Sequence, residues 1–308
     1  MSWLFFSIAT ALLWGTAELF YKKGAQPGEK YSHLKICICV GAVMGLHAIF
    51  TLLTQDINYN PINILVYLPV SLFYIVSMSF SYFGMRFIEE SISDPIENTA
   101  GVICVLLFAI IMGDSFHWLT WIAVAIITIG VVGVSYLENK GDTPRKKTLG
   151  KKLAIVAFCM PFIYALLDAF GTFLDDAYYL VEDITSSPLV DITEETIEAI
   201  ANTSYELTFA LFALILFIFM KAKKVKFGSI PKHKDKILAA VFETAGQFTY
   251  VYALGVADAI AAPILSSVCV VSLLLSRIFL KEKLSWKTYL FIGIVIIGIL
   301  ILAISEEL

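Results

Sequence analysis

Three carboxylates stand inside stretches that are otherwise apolar: Glu18, Asp168 and Glu243. On insertion scales an acid costs about 2.5–3.5 kcal/mol near the centre of a membrane helix. Each therefore needs water, a partner or a proton. Side chains three, four and seven positions apart share one side of a helix. That spacing sets Trp14 beside Glu18, Tyr164 beside Asp168, and Gln247 and Tyr250 beside Glu243. Tyr82 and Arg86 continue a fourth stripe that begins at Ser71 and Ser79. The aromatic members can hold an ammonium by cation–π attraction of about 0.5–2 kcal/mol each. Arg86 is the one base near these stripes, so an interior lined by them is electronegative. It suits a cationic or zwitterionic small molecule, or exchange of such a molecule for protons.

Other chemistry is not signalled. The sequence has no phosphate-cradling glycine loop, no Ser-His-Asp arrangement and no CxxC pair. Cys37, Cys39, Cys104, Cys159 and Cys269 lie in apolar runs and read as small buried hydrophobes. His33, His47, His117 and His233 are scattered without metal-ligand spacing. No enzyme activity, metal, cofactor or nucleic-acid partner is expected.

The elements that must position these residues follow from composition. Apolar residues make up 59% of the chain and charged residues 16%, with a mean hydropathy of +0.82. A soluble domain has about half and about a quarter. Apolar runs occur at about 3–20, 34–54, 62–84, 95–112, 117–137, 153–175, 205–220, 237–254, 260–279 and 285–304. The 22 Lys and Arg residues all fall at loops 1–2, 5–6, 7–8 and 9–10 or at the end of span 3. By the positive-inside rule those loops are cytoplasmic and both termini lie outside. The expected fold is all-α, with ten membrane helices. The first run lacks a basic n-region and reads as a span, not a cleaved signal. Loop 176–204 carries no base. Asp191 with Glu194 suggests a capping box, and Ile197, Ile200 and Ala201 suggest a short amphipathic helix on the outer surface.

The chain also repeats itself. A shift of 168 positions lays Tyr82 on Tyr250, Pro95 on Pro263, Asp114 on Glu282, Trp118 on Trp286 and Gly130 on Gly298. Five spans per copy is an odd number, so the second copy enters the bilayer from the opposite side, an inverted repeat. The expected division is residues 1–137, a basic cytoplasmic linker at 138–152, and residues 153–308. Pro95 and Pro263 each open a span and, with Glu97 and Arg86, are assigned to a hinge or gate. Gly41 with Gly45, Gly130 with Gly133, and Gly293 with Gly298 read as close-packing positions.

This order of features resembles the drug/metabolite transporter superfamily, EamA-like branch. It rests on two five-helix halves, a proline heading spans 4 and 9, and an acid–polar–Trp turn before spans 5 and 10. The second half carries it best, from Tyr250 to Ala303 with Ala262-Pro263 and Lys281-Glu282-Lys283-Leu284-Ser285-Trp286. The resemblance implies a central cavity between the halves and proton-coupled export or exchange of a small metabolite. The expectation is a monomeric, multi-pass protein of the inner (plasma) membrane that moves an amine or amino acid. Two other readings stay open: transport of an anion such as a nucleotide-sugar or organic phosphate, and a non-transporting membrane receptor.

Overall fold

A computed structural model describes residues 2–113, 115–140, 150–179, 187–254 and 268–305. Among these residues the regular structure is entirely helical. Helix α1 runs Ser2–Gly24, α2 Ser32–Thr54, the single turn α3 Asn63–Val66, and α4 Leu68–Gly84. Next come α5 Glu90–Glu97, α6 Ala100–Leu107, α7 Trp118–Lys140, α8 Lys151–Tyr179 and α9 Ile197–Ala222. The last three are α10 Lys234–Leu254, α11 Val268–Leu275 and α12 Trp286–Ser305. Among the described residues five segments are long and apolar enough to cross a membrane: Ser32–Thr54, Glu90–Met112, Lys152–Asp175, Ile197–Ala222 and Trp286–Ser305. Leu68–Gly84, Trp118–Val134 and Val268–Leu280 are shorter apolar helices.

The helices pair in a regular pattern. Helix α1 lies against α10, and α4 against α8; α2 packs on α9, and α7 on α12. Glycines set the closest approaches. A Cβ on Gly41 would come within 2.4 Å of the Phe209 carbonyl oxygen, and one on Gly45 within 2.7 Å of Ala210. Without water to drive association, such close backbone contact is what holds helices together in lipid. Gly293 is different: nothing lies within 4 Å of a Cβ placed there, so it is not a packing position.

The repeat recurs in backbone geometry. Helix α6 runs into a π turn, Phe108–Met112, and stops at Gly113 with φ 78°. Helix α11 runs into a π turn, Ser276–Leu280, and stops at Lys281 with φ 57°. Both turns are related by the same 168-residue shift. Left-handed backbone suits glycine and strains a lysine by about 1–2 kcal/mol. Nothing lies within 4 Å of a Cβ on Gly113, so φ alone decides there. Gly113→Ala is expected to destabilise by about 1 kcal/mol, and Lys281→Gly to stabilise by somewhat less, since glycine also loosens the unfolded chain. Thermal unfolding in detergent checks both; equal and small effects of one sign would contradict the strain.

Three expectations are corrected. Pro95 does not open its span: it is the sixth residue of α5, which begins at Glu90. The helix breaks after it, at Asn98–Thr99, where Thr99 N donates to Ile96 O at 3.0 Å in a tightened turn. Proline removes one backbone donor and crowds the turn before it, Ser91–Asp94; the interruption lies past it, at Asn98–Thr99, and leaves the span discontinuous instead of capped. Second, Ile197, Ile200 and Ala201 belong to the first turns of the long helix α9 and are buried. Their apolar face packs beneath Ile57, Tyr67 and Leu189, not on a lipid surface. Third, Asp191 caps nothing: it sits at φ 59° and accepts from Asn60 Nδ2 at 2.9 Å. Pro263, Asp114 and much of the 138–152 linker lie outside the described residues.

One end of the bundle gathers the bases. Glu29, between α1 and α2, accepts from Lys35 Nζ at 2.5 Å and Lys236 Nζ at 2.8 Å, tying that loop to α2 and α10. Partial burial pushes the Glu29 carboxyl up, but the two ammonium groups outweigh it and hold it below its ordinary value. Arg86 Nη2 donates to Pro27 O at 3.3 Å, and its guanidinium lies over Phe83 and Phe87. Glu282, in the loop before α12, accepts from the backbone N–H of Glu90 and of Ser91, each at 2.9 Å, and from Ser91 Oγ at 2.6 Å. A carboxylate at a helix N-terminus satisfies orphan donors and complements the dipole, so Glu282 fastens the start of α5 to the far end of the chain.

Candidate functional site

Helices α1 and α10 cross with an aromatic seated in a glycine notch. Trp14 covers Gly246, where a Cβ would come within 2.4 Å of the indole. Its Nε1 donates to Glu243 O at 3.3 Å, and its ring lies 5.1 Å from that of Tyr250. Two turns on, the Tyr21 and Tyr82 rings meet at 4.6 Å. The Tyr21 hydroxyl lies beside the Glu243 carboxylate without the alignment of a closed hydrogen bond.

Helices α4 and α8 repeat the arrangement. Tyr74 lies against Gly171, 3.0 Å from a Cβ placed there, and its hydroxyl donates to Thr172 Oγ1 at 3.1 Å. The Asp168 carboxylate sits among the hydroxyls of Tyr164 and Ser77. Glu97, on α5, is buried and accepts from Ser81 Oγ at 2.9 and 3.0 Å and from Ser93 Oγ at 2.7 Å.

These groups face one interior. Glu18 is within electrostatic reach of Glu97 and Glu243, and Asp168 of both Glu97 and Glu243. The structure thus brings Glu18, Asp168, Glu243, Glu97, Trp14, Tyr82, Tyr164 and Tyr250 together. Gln247 points sideways instead, donating to Asn202 Oδ1 at 3.2 Å. Arg86 is turned to the loop carbonyls at the basic end. Among the described residues no Lys or Arg forms an ion pair with Glu18, Glu97, Asp168 or Glu243.

Several polar groups escape a reading by sequence. Glu90 and Asp94 are buried on α5 and adjoin Glu18. They sit in a polar segment that hydropathy assigns to a loop; their i, i+4 spacing was the available signal. His47 Nδ1 lies 2.8 and 2.9 Å from the two Glu206 oxygens, joining α2 to α9. Asn202 Nδ2 reaches Glu206 Oε1 at 3.3 Å. No group of three His, Cys, Asp or Glu among the described residues is placed to hold a metal ion.

The class is thereby defined: a helical, multi-pass membrane protein whose interior is lined by acids from several helices. The EamA-like transporter family model matches residues 1–136 and 185–304. The chain belongs to that family, within the drug/metabolite transporter superfamily. No curated protein matches it. A solved structure titled "Crystal structure of protein" is similar over 96% of this chain and 94% of its own, with 13% identity and a TM-score of 0.57. At that identity the likeness concerns the fold alone.

Proposed function

We propose that the protein is a secondary transporter of a small cationic or zwitterionic metabolite, such as an amine or amino acid, coupled to protons by exchange. Carrying this reading is one observation: carboxylates from α1, α5, α8 and α10 face one interior in which, among the described residues, no Lys or Arg forms an ion pair with them. A scaffold or receptor has no need to bury so many acids, and an anionic substrate would need bases where Arg86 is instead committed to Gln26 and Pro27 carbonyls.

The topology belongs to the same proposal. Ten spans form two inverted five-helix halves, residues 1–137 and 153–308, joined by a basic cytoplasmic linker, with both termini outside the inner (plasma) membrane and the protein acting as a monomer. Support comes from the pairing of α1 with α10 and α4 with α8, which exchange under a swap of halves. The two halves rock about the acids, exposing them to each side in turn. The broken α5–α6 span supplies the discontinuity that such carriers place at their binding sites. The basic end then faces the cytoplasm, where Glu282 holds the start of α5.

Counterflow in proteoliposomes tests this, using labelled amines and amino acids with and without a pH gradient. Removing one charged hydrogen-bond partner costs about 1.5–3 kcal/mol. Asp168→Asn and Glu243→Gln should therefore each weaken apparent substrate affinity by roughly 10- to 100-fold. Undiminished flux in both variants would remove the acids from the mechanism.

A further inference from the structure

Next to the site above, toward the basic end, lies a second set of buried oxygens. Glu90 has no exposed surface, and neither of its carboxylate oxygens has a hydrogen-bond partner. One oxygen each of Glu18 and Asp94 is likewise buried and unpartnered. So are the hydroxyls of Ser272 and Ser276, residues that are 1% and 0% exposed. Ser272 Oγ lies beside Asp94 across the contact between α5 and α11, without the alignment of a closed hydrogen bond. The five residues come from α1, α5 and the α11 segment, three elements that pack on one another.

A buried polar group left without a partner costs about 1–3 kcal/mol, more when charged. One such group is tolerable; five on three elements in mutual contact, with Glu18, Glu90, Asp94 and Ser272 close together, call for a ligand. Nearby donors are already committed. Lys22 lies within electrostatic reach of Glu90, but its Nζ donates to Met85 O at 2.6 Å and to Ile88 O, not to the carboxylate. Asn98 Nδ2 serves the other Asp94 oxygen at 2.8 Å, and Glu282 holds the α5 backbone. A small metal ion does not fit, because these acids do not converge as a ligand set. Three N–H donors on a compact positive charge, as an ammonium presents, fit acceptors spread over a helical turn.

We propose that Glu18, Glu90 and Asp94, with Ser272 and Ser276, bind a primary ammonium group, and that a short α,ω-diamine, presenting one at each end, is the preferred ligand class. Glu90 and Asp94 are one helical turn apart on α5, and Glu18 faces them from α1. One ammonium engages Glu18, the α5 acids and the serines; the other reaches toward Glu243. This rests on the cation-accepting reading of the interior, yet it is tested by binding and not by flux.

The experiment is calorimetric titration of the full chain in detergent with butane-1,4-diamine, butylamine and tetramethylammonium. The expected order is diamine tighter than butylamine, with tetramethylammonium, which has no N–H donor, at least roughly tenfold weaker than the diamine. Glu90→Gln should weaken the diamine at least roughly tenfold, and Ser272→Ala several-fold. Ser272→Ala removes a single buried hydroxyl and keeps the test decisive if Glu90→Gln fails to fold. No diamine binding, equal binding of tetramethylammonium, or undiminished binding in Ser272→Ala would each overturn the assignment. Diamine binding that depends on Asp168 but not on Glu90 or Ser272 would leave the transporter reading standing while removing this site.

Discussion

Replacing Glu206 by leucine will destabilise the protein by about 3–5 kcal/mol, and replacing His47 by leucine as well will recover most of that loss. The Glu206 side chain is 1% exposed and His47 22%. Both carboxylate oxygens lie within 2.9 Å of the imidazole Nδ1, and beyond it Glu206 has only the Asn202 amide at 3.3 Å. Removing the acid strands a polar ring between α2 and α9; removing the ring strands an acid. The double change leaves two aliphatic side chains beside Leu46, Ile49 and Phe50, which already form an exposed apolar face. Unfolding of the four proteins in mixed micelles gives the cycle. A double variant weaker than either single one would mean that the pair is not what these two residues contribute.

How far the sequence could lead is decided by where a residue's partner lies. Glu18, Asp168 and Glu243 stand out because a carboxylate among apolar residues contrasts with its own neighbours, and the positions that share its helix face follow from helical spacing. Gly41 and Gly45 were visible for the same reason. Glu206 was not: it opens an apolar run, where an acid looks like an interfacial residue, and its partner His47 is 159 positions away. Glu90 and Asp94 were hidden by local polarity, since Glu89, Ser91 and Ser93 give their segment the composition of a loop. Burial there comes from α1, α8 and α11 closing around α5, which no local window contains. Pro95 misled in a related way. A proline at a helix start and one inside a broken helix look the same until the residues before it are known to be helical.

The last expectation concerns the contact that joins the two copies. Ile127 and Gly130 on α7 fall on Val295 and Gly298 of α12 under the 168-residue shift. In the structure Gly130 abuts Val295, with its side chain 2.6 Å from an added Cβ, and Gly298 abuts Ile127 at 2.5 Å. Contacts exchanged in this way are what a two-fold relation imposes on an interface, because residue i meets j and j meets i. Gly130→Ala and Gly298→Ala should therefore destabilise by similar amounts, about 1–3 kcal/mol each, as overpacking in a fixed interface does. The backbone shares the strain on both sides: Val295 N lies 3.0 Å from the first Cβ and Ile127 N 3.1 Å from the second. Shortening the facing side chain, Val295→Ala or Ile127→Ala, should then relieve only part of either loss. Gly293→Ala, with open space around it, should instead stabilise by up to about 1 kcal/mol, as alanine for glycine does inside a helix. Unequal losses at Gly130 and Gly298, measured by unfolding in the same micelles, would show that the two halves do not meet as equivalents.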